Sequence, residues 1–343
     1  MKRIFRQEQW LFIFNIVLSK IINRNKNPND FCFNSILVIK LDEIGDMAAA
    51  THVFSMLKKA HPNSKITVLC KSFCVDLVKN HPDVDYFITD IKQLDSKFDL
   101  VVHLRGTFKT FWKVLFGMPK FHLDRGTVRF RNRKIGQLHE TKTNYEIIKP
   151  VLKGLDFERP KIYTSLINDD TASSYLVKNK IGRFALLHTG ARRVLRQWSG
   201  KNFSLIAKYL KENHDLNIVF SGGNEDVQNI EQIREMIPFE TYSFIGSYNL
   251  LDFASLAKKA EIFIGNESGP LQIVNCQDTS LVGLFGPGVK DVFYPLGDNA
   301  ISLHHILDCN PCNQIDCVQP SNPCINLISV YELENAVKKL LNF

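Results

Sequence analysis

Twice along the chain, short apolar runs rich in β-branched residues alternate with stretches of helical spacing, and no other feature restricts the fold as much. The pattern belongs to parallel-sheet α/β domains, whose strands are covered on both faces and therefore read as continuous apolar runs. In the first series, residues 35–40, 65–70, 84–89 and 99–104 predict strands. A turn at Gly45-Asp46 opens a helix running to about Lys59, His61-Pro62-Asn63 ends it, and residues 145–155 predict another helix. The second series predicts strands at 184–188, 217–221, 241–245, 261–265 and 280–285, with helices over 203–213, 226–236 and 250–259. A chain of 343 residues exceeds one ordinary core, so the two series read as two Rossmann-like, doubly wound domains, residues 31–165 and 166–343. Ligands of such sheets bind outside the carboxyl ends of the strands, here in a cleft expected between the domains.

A hydrophobic fraction of 45% with 23% charged residues excludes wholesale disorder. The net charge of +8 favours an anionic partner: a phosphorylated substrate, a membrane surface or nucleic acid. Nucleic acid is disfavoured because no binding module accompanies the charge. Residues 1–30 stand apart. Lys2, Arg3 and Arg6 precede an apolar run at residues 10–22, too short to span a bilayer and followed by no cleavage pattern. That run reads either as an interfacial helix, with Trp10, Phe12 and Phe14 among headgroups, or as a helix packed on the protein's own surface; residues 25–30 read as a linker. Cys32, Cys70, Cys74 and Cys276 are scattered, as free thiols of a reducing, cytoplasmic compartment would be.

Four segments carry chemistry. Directly after the first strand, Lys40-Leu41-Asp42-Glu43-Ile44-Gly45-Asp46 puts a carboxylate at a strand-to-helix turn, without the spacing of a dinucleotide fingerprint or a P-loop. Asp46 suits either a general base or a helix cap. The second, residues 188–198, contains His188-Thr189-Gly190-Ala191-Arg192-Arg193 and ends Arg196-Gln197-Trp198; it reads as an anion site or as a solvated basic loop. In the third, Gly265-Asn266-Glu267-Ser268-Gly269-Pro270, a strand gives way to a helix whose first N–H groups suit phosphate, or to an ordinary Ser cap with Pro in the first turn. The fourth is the tight turn Phe285-Gly286-Pro287-Gly288.

In this order the four segments resemble glycosyltransferase family 9, the heptosyltransferases of lipopolysaccharide core assembly, over residues 36–330. The resemblance implies the GT-B architecture: two Rossmann-like domains, the acceptor bound mainly by the first and a nucleotide-diphosphate sugar by the second. It implies inverting transfer with no required cofactor or metal. Carried over by position, Asp46 is the base and Arg196 neutralises the leaving diphosphate. Thr189, Gly190, Ser268 and Gly269 line the phosphates, Glu267 holds the donor sugar, and Glu225 is a looser candidate for the nucleotide ribose. Three departures bear on the donor: Glu267 stands where the family usually has Asp, Gln272 where many members have His, and Arg196 where heptosyltransferases often have Lys.

Lys120, Arg125, Arg129, Arg131, Arg133, Lys134 and Lys142 crowd one stretch of the first domain, opposed by Asp124 and Glu140. Arg129, Arg131 and Arg133 fit a phosphorylated or carboxylated glycolipid acceptor; the same charge fits a membrane surface or a mobile solvated loop. Cys309, Cys312, Cys317 and Cys324, spaced C-x2-C-x4-C-x6-C, fit a structural metal, reduced thiols or disulfides. Two other functions share these features: a GT-B sugar-nucleotide epimerase, and a non-catalytic glycan-assembly protein. The basic stretch and apolar N-terminus favour the transferase, peripheral to the inner face of the cytoplasmic membrane.

Overall fold

The computed structural model describes residues 2–94, 97–133, 136, 138–246 and 248–341, with side chains from residue 9 onward. Lys134 and the side chains of Lys2, Arg3 and Arg6 lie outside the described residues. The chain divides into two units, Met1–Tyr163 and Thr164–Phe343. The boundary falls two residues before the expected one because Thr164 is tied into the second unit, donating to Asp169 at 3.0 Å and accepting from Lys258 at 2.7 Å.

In the first unit five parallel strands lie in the order β3-β2-β1-β4-β5. They are β1 Ser35–Lys40, β2 Lys65–Cys70, β3 Tyr86–Ile88, β4 Leu100–Arg105 and β5 Phe121–Asp124. The helices are α1 Lys2–Ile22, α2 Ile44–Ala48, α3 His52–Ala60, α4 Ser72–Val78, α5 Phe108–Gly117, α6 Arg125–Arg131 and α7 Glu140–Ile148. β1 and β2 each bury five of six residues, as covered strands must. The helix expected after Gly45 is broken in two, where the Thr51 hydroxyl bonds back to the Ala48 carbonyl at 3.1 Å. The helix expected at 145–155 starts five residues earlier and ends at Ile148, since Pro150 has no N–H to continue it. Arg125, Arg129 and Arg131 of the basic stretch lie on helix α6, which Asp124 caps by accepting from Thr127 N at 2.9 Å.

Residues 1–30, read from sequence as a segment apart, belong to the first unit. Leu11, Leu18 and Ile22 of α1 enter the core against Leu37, Ile39, Val101, Phe111 and Val114. Buried Ser19 donates to Asp124 at 2.5 Å and meets His122 Nδ1 at 2.9 Å. The Asn23 amide pairs with both backbone groups of His122, at 2.7 and 2.9 Å, and so covers the exposed edge of β5. No helix among the described residues is long and apolar enough to cross a membrane.

The second unit has six parallel strands in the order β11-β10-β9-β6-β7-β8. These are β6 Phe184–His188, β7 Asn217–Ser221, β8 Tyr242–Phe244, β9 Ile262–Asn266, β10 Leu281–Phe285 and β11 Ala300–His304. Its helices are α8 Leu166–Lys178, α9 Gly200–His214, α10 Val227–Glu235, α11 Leu250–Lys258, α12 Gly269–Asn275, α13 Lys290–Phe293 and α14 Val330–Leu341. Trp198, Phe203 and Phe220 anchor its core with Leu333 and Val337 of α14. In each sheet the chain runs outward from a central strand and then returns to that strand's other side. The first unit therefore reverses direction between β1 and β4, the second between β6 and β9. Loops leaving such a pair part to opposite faces and leave a crevice for ligand.

Leu18 is buried and Val17 exposed on the same helix. Leu18→Ala should destabilise the first unit by about 2–4 kcal/mol, while Val17→Ala should change it by less than about 0.5 kcal/mol, in denaturant unfolding.

Candidate active site

The crevice of the first unit is built on a lysine. Lys40 ends β1 with no exposed surface, its ammonium 2.8 Å from Asp42 and 2.9 Å from Glu140. Glu140, in the first turn of α7, also takes both terminal nitrogens of buried Arg125, with Nη1–Oε1 at 2.8 Å. Arg105, at the end of β4, reaches Asp42 at 3.3 Å and so bridges the two strands that flank the crevice. Burial alone would raise the Glu140 pKa; Arg125 and Lys40 overcome it and hold the carboxyl well below its ordinary range.

Asp46 lies in the first turn of α2, beside this cluster. Burial raises its pKa to about 6; Lys40 pulls against that, while Asp42 and Glu140 push the same way as burial. Carboxylate oxygens of Asp42, Asp46 and Glu140 lie within 4.8 Å of one another, the only such triad of potential metal ligands among the described residues. The Lys40 ammonium already occupies the cationic position between two of them. What remains is one half-buried carboxyl that titrates near neutrality, as a general base requires.

In the second unit, His188 pairs with Gly265, so the loops after β6 and β9 leave neighbouring strands at one end. Asn266 joins them: its amide donates to Thr189 O at 2.8 Å and accepts from Trp198 N at 3.0 Å. Arg196 therefore lands beside Glu267, at 3.2 Å, with its Nε donating to Gln314 Oε1 at 2.6 Å. Glu267 is only 4% exposed; burial raises its pKa, Arg196 opposes this, and Oε2 has no hydrogen-bond partner. Ser268 precedes α12 without capping it, and its buried hydroxyl also lacks a partner. A side chain at Gly288 would collide with the Glu267 carboxylate at 2.1 Å, so the glycine turn after β10 closes over that group.

Thr189, Gly190, Arg196, Glu267, Ser268 and Gly269 are thus held in one neighbourhood. Glu225 is exposed on the turn after β7, folded over Gly223. Its neighbour Asp226 is the acid that reaches the loop after β6, so close that a Cβ on Gly190 would sit 2.5 Å from it. Gln272 donates to Phe293 O at 2.7 Å. Of the basic residues on and after α6, Arg129 stacks over Phe12 at 4.8 Å and lines a cavity of about 210 Å³ with Arg125 and Asn132. Arg131 is paired on the surface with Glu146 at 2.7 Å, and Arg133 lies over Phe130 at 4.3 Å. Cys309, Cys312, Cys317 and Cys324 are free thiols around a small cavity that Leu195 also lines.

Residues 90–322 match the model of glycosyltransferase family 9 (heptosyltransferase). The chain belongs to that family. A lipopolysaccharide core heptosyltransferase, OpsX of Haemophilus influenzae, is 21% identical over 89% of this chain and 86% of its own length. Among solved structures, a family 9 glycosyltransferase from Veillonella parvula superposes with a TM-score of 0.77 at 18% identity, covering 90% of this chain and 97% of that one. The E. coli ADP-heptose lps heptosyltransferase II gives 0.69, also at 18% identity, over 90% and 98%. The two parallel-sheet units are those of the GT-B fold, and the protein is a glycosyltransferase of the heptosyltransferase family.

Reading the sequence missed the cluster that surrounds Asp46 in this family 9 chain. A lysine closing an otherwise apolar strand is the available signal, since a buried ammonium needs carboxylates. Asp42 is in reach by sequence; Glu140, a hundred residues away, is not. Glu140→Gln should leave buried Arg125 without its carboxylate and Lys40 with Asp42 alone, and destabilise the first unit by about 3–5 kcal/mol. Glu158→Gln, which breaks an exposed pair with Lys59, should alter it by no more than about 1 kcal/mol in the same unfolding measurement.

Proposed function

We propose that the protein is an inverting glycosyltransferase that moves a heptose or related sugar from a nucleotide-diphosphate donor to a lipopolysaccharide-type surface glycan. Family 9 membership and the heptosyltransferases among its relatives support the sugar class and the pathway. The observation that carries the chemistry is Asp46, a half-buried carboxyl with its pKa raised to about 6. In this reading Asp46 takes the proton of an acceptor hydroxyl, whose oxygen forms the new bond to the anomeric carbon. The carbon–oxygen bond to the donor phosphate breaks from the opposite side, and its electron pair leaves with the nucleoside diphosphate. Arg196 supplies positive charge to that leaving group, with Thr189, Gly190, Ser268 and Gly269 along the phosphates and Glu267 at the donor sugar.

In this reading the charge on the diphosphate is met by Arg196 and the transfer requires no metal. The cysteine loop acts structurally, holding Gln314 against Arg196. Arg129, at its cavity, is the best placed of the three arginines for an anionic acceptor. The acceptor is a glycolipid, and the enzyme works in the cytoplasm, peripheral to the inner face of the membrane through residues 1–22.

Protonated Asp46 accepts no proton, so kcat with ADP-heptose and a core-glycolipid acceptor should rise with pH through about 6 and be lost below it. Asp46→Asn should lower kcat by about 10²–10⁴-fold and abolish that titration while leaving donor affinity near normal. Turnover close to that of the unaltered enzyme would remove the base from Asp46. Arg196→Ala should weaken nucleoside diphosphate binding about tenfold to a hundredfold and leave the parent nucleoside unaffected, by isothermal titration.

A further inference from the structure

Helix α1 is apolar on two sides. Its inner side is used up in the core, yet Trp10, Ile13, Phe14 and Val17, at helical spacing, form an outer stripe that stays about half exposed. The stripe does not end with α1. Phe14 packs on Phe111 of α5 at 5.6 Å between ring centres, Phe111 meets Trp112 at 5.4 Å, and Trp112 stacks on Phe116 at 6.0 Å. Trp112 is 52% and Phe116 78% exposed. A continuous aromatic face therefore crosses both helices, where monomeric proteins seldom expose apolar patches of this kind.

Charge decides what this face meets. On α5, Lys109 and Lys113 fall at the same spacing as Trp112 and Phe116 and are exposed beside them. On α1 the outer stripe continues into Lys20, with Arg24 one turn further, also exposed. Apart from Glu8, whose side chain lies outside the described residues, no Asp or Glu occurs in residues 2–29 or 100–123, the stretches that build the face. A second copy of the chain would bring four like charges against four others. An anionic lipid surface neutralises them and takes the aromatic rings at headgroup depth.

We propose that α1 and α5 together form a docking face for an anionic bilayer, with Trp112 and Phe116 as its second anchor beside Trp10 and Phe14. It deepens the peripheral-membrane reading above by adding α5 to residues 1–22, and lipid vesicles free of donor and acceptor report it apart from the transfer chemistry. Full-length protein should float with vesicles of phosphatidylcholine mixed with phosphatidylglycerol and stay behind with phosphatidylcholine alone. Tryptophan emission should shift to the blue on the mixed vesicles, since Trp10 and Trp112 are exposed while Trp198 is already buried. Phe116→Glu with Trp112→Ser, and separately Lys109→Glu with Lys113→Glu, should each cut partitioning about tenfold or more. Both variants should keep full transfer to a delipidated, water-soluble acceptor and an unchanged circular dichroism spectrum. Vesicle binding by the α5 variants equal to that of the unaltered protein would overturn the proposal. So would a concentration-dependent dimer, in sedimentation velocity, that Phe116→Glu abolishes while the unaltered protein ignores both vesicle types. Loss of transfer to the soluble acceptor in Asp46→Asn with vesicle binding intact would bear on the chemistry alone.

Discussion

Burying the Lys40 ammonium at the carboxyl end of β1 obliges the first unit to bring carboxylates to it, because an uncompensated interior charge costs several kcal/mol. Asp42 comes with the turn itself, but one carboxylate at the edge of the crevice does not satisfy an ammonium with three donors. Glu140 completes it from the start of α7, and Glu140 in turn needs Arg125 from the start of α6. Two helices and a strand are thereby fixed around one point in the topology, the place where the sheet reverses direction. Asp46 inherits its environment from this arrangement. It is desolvated by the same packing and faces two carboxylates that are already committed to cations, and burial and their charge raise its pKa to about 6. A base placed on a solvated loop would have no reason to titrate there.

The second unit uses the equivalent reversal point differently. Its organiser is a neutral amide, Asn266, buried at the end of β9 and spending both ends of its side chain on the loop after β6. The charged pair beside it, Arg196 and Glu267, is held by other partners. Arg196 is held from one side by Gln314 and from the other by Glu267, and Glu267 keeps one oxygen without a partner. Such an oxygen is costly unless something polar arrives to use it. A donor sugar hydroxyl is the group the proposed function brings to that position, while the diphosphate competes for the guanidinium. Buried acid and guanidinium thus restrain each other.

The strands were the most legible part of the chain. The runs at 35–40, 65–70, 184–188 and 217–221 are β1, β2, β6 and β7 to the residue, because a strand covered on both faces carries its burial in its composition. β5 and β11 were not read. β5 has four residues, one of them His122 and another Asp124, and it exists as an edge strand because α1 supplies the missing covering and hydrogen bonds from far away in sequence. β11 is half exposed and carries no continuous apolar run. Motif order was enough to bring Thr189, Arg196 and Glu267 together, since each sits just past a readable strand. Motif reading could not foresee that Arg125, counted with the basic stretch, is a buried partner of Glu140, nor that Arg131 and Arg133 turn to surface partners. Charge runs do not show which member of the run is folded inward.

Helix α1 ties these features together, and its polar residues explain how. Between the buried Leu11 and Leu18 it carries Asn15, whose amide nitrogen is spent on Leu11 O at 2.9 Å and whose oxygen has no partner. That residue lines a cavity of about 50 Å³ with Phe12, His103, Arg105 and Arg125. His103 is kept neutral by burial, its pKa pushed down to about 3, and its Nδ1 likewise lacks a partner, as does Nε of Arg125. Three unsatisfied polar groups around a space of that size fit a few water molecules or one small polar group. Removing the helix would open this cavity, bare the β5 edge and hydrate Arg125. The salt bridge to Glu140 would then weaken by screening, and with it the support of Lys40. The helix is therefore a structural wall of the charged crevice on its inner side, whatever surface its outer side meets.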